Sequence, residues 1–154
     1  VVLVVAGLCI SVASVGGAQT KDTWRLGAQS YSFNRFTFEE AMAKTQACGM
    51  KYLEVYPDQK VGKEFGDTVF KNMTPAQRQQ LKQMLKDAGL TLTCYGVVTP
   101  KGESEWRNVF DFAKDMGFET IVSEPPESDL PMIDKLCQEY QIGLAIHKIG
   151  RAHV

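Results

Sequence analysis

At 154 residues, 44% of them hydrophobic and 23% charged, the chain has the make-up of one globular domain. Its formal net charge is −1, with both signs mixed along the chain, so no basic stripe offers itself to nucleic acid. No run of like charge or low-complexity tract marks a disordered tail.

The first stretch, VVLVVAGLCISVASVGGAQT, carries no charge before Lys21. A short apolar run followed by small residues reads as the core and cleavage region of a secretory signal peptide over residues 1–18, cut after Ala18. It lacks an initiating Met and a basic start, so it reads as a signal joined part-way through. A hydrophobic first strand is the alternative. A transmembrane anchor fits less well, because Gly and Ser break the run, and Leu8 before Cys9 argues against a lipoprotein signal. Export would place the mature chain in an oxidising compartment, periplasmic or secreted. The cysteines left there, Cys48, Cys94 and Cys137, lack the close pairing of a zinc site and read as small core residues rather than a disulfide framework.

From Trp24 onward one pattern recurs. WRLGAQSYSF is a strand candidate. In FTFEEAMAKTQACGMKYLEVYP, Thr37 and Glu40 form a capping box, Phe38, Ala41, Met42 and Thr45 keep helical spacing, Gly49 stops the helix, and KYLEVY follows as a strand. In TPAQRQQLKQMLKDAGLTLTCYGVV, Thr74 caps and Pro75 takes the first helical position. Leu81, Met84, Leu85 and Ala88 form the stripe, Gly89 stops it, and LTLTCYGVV is the strand. The third helix carries Trp106, Val109, Phe110 and Ala113, stops at Gly117, and leads into ETIVSE. The fourth carries Met132, Ile133, Leu136 and Tyr140 and leads into IGLAIH.

Five strands alternating with four helices predict an α/β fold with a parallel sheet and helices outside, because parallel strands need a crossover. An open doubly wound sheet and part of a (β/α)8 barrel both fit. A complete barrel takes about 250 residues, so this chain would supply about five of its eight strands. No GxGxxG, P-loop or GxSxG pattern is present, which leaves metal-assisted or carboxylate acid–base chemistry.

In either architecture function collects at the carboxyl ends of the strands. Gln29, Tyr31 and Phe33 stand there on the first strand, Glu54 and Tyr56 on the second, Tyr95 on the third, Glu124 on the fourth and His147 on the fifth. Glu124 closes an apolar strand before Pro125-Pro126, where a charge calls for a cation or hydrogen-bond donors. His147 closes Leu144-Ala145-Ile146, a position suited to a neutral imidazole ligand. The candidates are Glu54 and Glu124 for catalysis, Gln29, Tyr31 and Tyr95 for substrate, and Glu124 with His147 for metal. A salt bridge for Glu54, a satisfied core or rim position for His147 and packing for the tyrosines are the plainer alternatives.

The segments LGAQSYSFNRFTFEEAM, GMKYLEVYP, VFDFAKDMGFETIVSEPP and MIDKLCQEYQIGLAIH resemble the sugar phosphate isomerase/epimerase family with a xylose-isomerase-like barrel, in order, from Trp24 to His147. The resemblance implies the N-terminal part of a barrel over residues 24–147. It also implies a divalent ion (Mn, Mg, Zn or Co) in the complete protein, and a sugar or polyol substrate whose proton next to a carbonyl is moved. A lyase, dehydratase or hydrolase acting on a keto-sugar or inositol derivative, and a non-catalytic sugar-binding barrel, are the alternatives. A DNA-repair barrel of the same fold is disfavoured by export and by the lack of a basic groove. Neither nucleic acid nor, once the signal is removed, a membrane is expected as a partner.

The family's fifth strand typically continues past the first histidine as Asn-His-Pro, whereas Lys148 and Ile149 follow His147. KIGRAHV back-translates, apart from its first base, to a common sequencing-library adapter. Residues 148–154 are therefore expected to be a non-native tail, His153 no ligand, and the chain as written an inactive part of its parent enzyme.

Overall fold

Local capping chemistry sets where the first two helices begin in this computed structural model, which describes residues 24–147. The Thr37 hydroxyl accepts the Glu40 N–H, and the Glu40 carboxylate accepts the Thr37 N–H at 2.8 Å, so two unpaired donors at the start of α1 (Phe38–Ala47) are satisfied at once. Those bonds hold the Glu40 carboxyl below the usual carboxylate range. Thr74 and Gln77 repeat the device at α2 (Pro75–Ala88), with Pro75 in the first turn. At the far ends of α2 and α3 (Gly102–Met116), Gly89 and Gly117 adopt left-handed φ values of 64° and 81°, which cost an L side chain about 1 kcal/mol. The fourth helix, α4 (Leu130–Tyr140), departs from the pattern. It ends at Gln141 with φ 58°, and the nearby Gly143 belongs to the next strand.

The strands are β1 (Gly27–Gln29), β2 (Tyr52–Val55), β3 (Thr91–Val98), β4 (Thr120–Ser123) and β5 (Gly143–Ile146). They pair in chain order, each neighbour parallel, with the four helices as crossovers. This is the expected α/β sheet and part of a (β/α)8 barrel; a doubly wound sheet would have reversed its strand order. Adjacent strands approach closely at Gly96, where a β-carbon would collide with the Val122 carbonyl oxygen.

One face of the sheet carries the helices. Leu53, Val55, Leu92 and Ile121 lie there, buried against Phe38, Leu81, Trp106, Phe110 and Ile133. Each fully buried side chain of this kind contributes about 1.5–3 kcal/mol, so this layer holds the fold. The other face is far more open: β1 and β5, the two outer strands, have no fully buried residue.

Three features depart from the sequence reading. β1 is short, because Ser30 leaves the ladder for a 3-10 turn (Ser30–Phe33) and is fully buried, its hydroxyl accepting the Tyr56 N–H at 2.9 Å. Residues 57–73 form a folded outer layer that no strand or helix pattern announced. It holds two 3-10 turns, Lys63–Phe65 and Phe70–Asn72, and an antiparallel bridge between Lys60 and Val69. Its carbonyls at Lys60 and Val61 accept the first N–H groups of α1, and it buries Val61, Phe65, Phe70 and Met73. Of the cysteines, Cys94 and Cys137 are half-buried, and burial raises both thiol pKa values, but Cys48 is exposed because it caps α1 beyond the helix's apolar stripe. All three are free.

No helix among the described residues is long and apolar enough to cross a membrane. The signal-peptide segment 1–18 and the tail 148–154 with His153 lie outside the described residues.

Candidate functional site

The ladder between β4 and β5 pairs Ser123 with Ile146, so the next residues of the two strands, Glu124 and His147, leave the sheet side by side. The backbone closes the step: the His147 N–H donates to the Ser123 carbonyl at 2.9 Å. The side chains meet above it, with Nδ1 of His147 2.7 Å from Oε1 of Glu124. The imidazole is about one-third exposed and the carboxylate about half. A carboxylate and an imidazole converging on one point can share a proton or a divalent cation.

Gln29 and Glu54 make a second pair. They are register partners on β1 and β2, and the Gln29 amide donates to Oε1 of Glu54 at 2.9 Å. This fixes the carboxylate and leaves Oε2 without a hydrogen bond among the described residues. The two pairs lie at different depths. Glu54 is in register with Cys94, and Cys94 with Thr120. Glu124 stands four residues beyond Thr120 on its own strand, roughly 13 Å of strand at the usual rise. Glu54 instead shares an inner cavity of about 300 Å³ with Cys94, Thr120 and the Arg25–Glu119 ion pair. In that ion pair the Arg25 guanidinium holds the Glu119 carboxyl below its ordinary range.

Tyr31 lies on the 3-10 turn, 51% exposed, its ring meeting Tyr56 edge to face at 5.0 Å between centroids. That leaves an aromatic face at the strand ends. Tyr95 corrects the sequence reading. Strand alternation sends it to the helix side with Leu53 and Ile121, where it is 3% exposed and packed at 5.1 and 5.2 Å from the rings of Phe112 and Phe118. Burial raises its hydroxyl pKa far above the tyrosine range. Its ring belongs to the core, turned away from the two carboxylate pairs.

Two residues that position this end of the sheet went unremarked in the sequence. Ser30 ties the 3-10 turn to the end of β2. Gln59 is 3% exposed, and its amide nitrogen reaches the Phe33 and Phe36 carbonyls at 3.2 and 3.1 Å and, more weakly, that of Ser30 at 3.5 Å. One buried amide thus pins the segment that bears Tyr31. Neither residue belongs to a periodic pattern, so only the tertiary contacts reveal them.

The donor chemistry of Glu124 and His147 fits a divalent ion as far as two ligands go. No group of three or more His, Cys, Asp or Glu residues able to hold a metal occurs among the described residues.

No protein-family model matches the chain, and no curated protein is significantly similar to it. Solved structures are similar. An uncharacterized protein of Parabacteroides distasonis ATCC 8503 superposes with a TM-score of 0.76 at 29% identity, over 80% of this chain and 52% of that one. A sugar phosphate isomerase/epimerase from the same organism superposes with a TM-score of 0.57 at 17% identity, over 83% of this chain and 53% of that one. The chain therefore shares the fold of both and spans about half the length of each.

Proposed function

We propose that residues 24–147 form the N-terminal half of a barrel that isomerises or epimerises a sugar or sugar phosphate, with Glu124 and His147 holding a divalent ion. The observation that carries this reading is the 2.7 Å contact between Glu124 and His147 at adjacent strand ends. In an α/β barrel that end is where chemistry collects, and the similar structure named as a sugar phosphate isomerase/epimerase supports the substrate class. Further ligands would come from the strands that complete the barrel.

When bound, such an ion polarises neighbouring carbonyl and hydroxyl oxygens and so acidifies the C–H between them. The chain's own residues do the rest. Glu124, half exposed, is placed to accept that proton and return it. His147, its Nδ1 held by Glu124, keeps Nε2 without a hydrogen bond among the described residues. Tyr31 and Tyr56 offer an aromatic face to the apolar side of a sugar ring. Glu54, held by Gln29 in the deeper cavity, forms a polar floor below them. Export of the protein is part of the proposal and rests on the apolar stretch at residues 1–18.

The test uses a barrel completed by joining residues 24–147 to the C-terminal half of the uncharacterized Parabacteroides protein. It is incubated in D2O with Mn²⁺ and a panel of aldoses, ketoses and their phosphates. Deuterium should enter at the carbon next to the carbonyl of at least one of them, and Glu124→Gln should abolish this. Binding of a sugar without exchange would favour the non-catalytic barrel. Release of water or of a leaving group would favour the lyase, dehydratase or hydrolase.

A further inference from the structure

A crevice of about 320 Å³ lies between the 57–73 layer and α3, on the helix side of the sheet and apart from both carboxylate pairs. Its walls are aliphatic, with Val97, Pro100 and Val109 among them. Its polar groups are few. Asp58 and Lys71 form an ion pair at 2.5 Å, each about half exposed. Tyr95 also lines the crevice. Its ring is clamped by Phe112 and Phe118, and its hydroxyl makes no hydrogen bond among the described residues. That hydroxyl is not sealed off: it is not among the buried polar atoms that lack a hydrogen bond. The Asp58 carboxylate is close enough to disfavour ionisation of the phenol. The ring is 97% buried and clamped, so the hydroxyl it turns to the crevice is a donor held in one place.

We propose that this crevice binds a small neutral polyol or monosaccharide, with adjacent hydroxyl groups meeting Tyr95, Asp58 and Lys71. The charge balance favours a neutral ligand over an anion. Asp58 and Lys71 cancel each other, and the remaining carboxylate of the lining, Glu105, is engaged by the Lys101 N–H at 2.8 Å at the start of α3. An anion would therefore find no free counter-charge, and a cation would have to compete with the Lys101 N–H for Glu105. Hydroxyl groups, which both donate and accept, suit a lining that holds one free donor, one cation and one carboxylate. The Val and Pro walls match the C–H face of a saturated ring. This site is separate from the strand-end pair and does not require a metal.

The five tyrosines allow a direct test by 19F NMR of the whole 154-residue chain labelled with 3-fluorotyrosine, in the absence of metal. The Tyr95 signal is identified by its loss in Tyr95→Phe. Xylitol should shift that signal saturably while the Tyr140 signal stays fixed, and sodium acetate and methylammonium chloride should leave both unmoved. Tyr31 and Tyr56 report the strand-end site in the same spectra, so a silent strand end with a responding Tyr95 separates the two proposals. By calorimetry, Tyr95→Phe should weaken xylitol binding up to about tenfold, the loss of one hydrogen bond. Lys71→Met, at a half-exposed side chain, should weaken it similarly, and Val109→Phe should fill the crevice and abolish it. A Tyr95 signal that does not move, or that drifts in step with Tyr140, would overturn the proposal. So would unchanged affinity in Val109→Phe.

Discussion

Glu124 and His147 are 23 residues apart in sequence, and their side chains meet at 2.7 Å because β4 and β5 are parallel neighbours in matched register. The contact needs the whole of α4 between them, since a parallel pair cannot be closed by a tight turn. On the proposed reading of this pair as part of a metal site, Glu124→Gln or His147→Ala should weaken binding of a divalent ion tenfold or more without unfolding the chain. Broadening of the His147 ring signals during a Mn²⁺ titration measures the first variant, and calorimetry the second. Broadening spread evenly over all side chains would remove the pair as a metal site.

Gln59 gives a prediction that separates positioning from bulk stability. In Gln59→Leu the carbonyls of Phe33 and Phe36 lose their shared donor while the side-chain volume is nearly kept. The expected cost is about 1–3 kcal/mol. Amide hydrogen exchange should quicken in residues 30–36 before it changes in β3 or α3. Uniform quickening would mean that Gln59 only fills space.

Phe70 should be among the most sensitive positions in the chain. Its ring lies 5.1 Å from Phe38, 6.0 Å from Phe112 and 6.2 Å from Tyr95, and it is fully buried. Phe70→Ala should cost about 3–5 kcal/mol, close to half of a typical domain's stability. Phe36, 44% exposed beneath the Lys44 ammonium, should cost under about 1 kcal/mol on the same change. Denaturant midpoints of the two variants check the contrast.

Asp115 predicts the sign of an acid response. A hydrogen bond from Lys82, with Arg78 also paired to it, holds its carboxyl below the ordinary range. A carboxyl that is more acidic folded than unfolded stabilises the fold above its unfolded pKa, about 3.9, and loses that contribution as pH falls through the folded value. Asp115→Asn should therefore lower the melting temperature at pH 7 and change it little near pH 2. With the carboxylate about one-third exposed, the effect should stay under about 1 kcal/mol. Melting curves of both proteins across pH 2–7 decide it.

Much of the fold was legible because each layer has its own periodicity. Thr37, Thr74, Gly89 and Gly117 mark helix ends by local chemistry, and the stripe through Trp106, Phe110 and Ala113 marks a buried face. The pairing of Glu124 with His147 could be anticipated because both close a strand. The depth of Glu54 could not, because register is a relation between strands and the shifts at Leu53/Glu54 and Gly96/Val98 leave no trace in any one of them. Tyr95 falls on the opposite face from the strand-end groups for a related reason: in an apolar strand buried on one side, alternation does not say which side a tyrosine takes. Residues 57–73 stayed hidden because 3-10 turns have too short a period to print a pattern.

That segment has a consequence for anyone altering the protein. Phe65, Phe70 and Met73 make it part of the interior, so shortening it as though it were an ordinary connector would hollow out the domain. Its tip is another matter. Gly66 and Asp67 are exposed, and the Asp67 carboxylate pairs with Lys60. Peptide tags, reporter groups or a grafted recognition sequence belong at that point, where added chain can project into solvent while the walls beneath keep their shape.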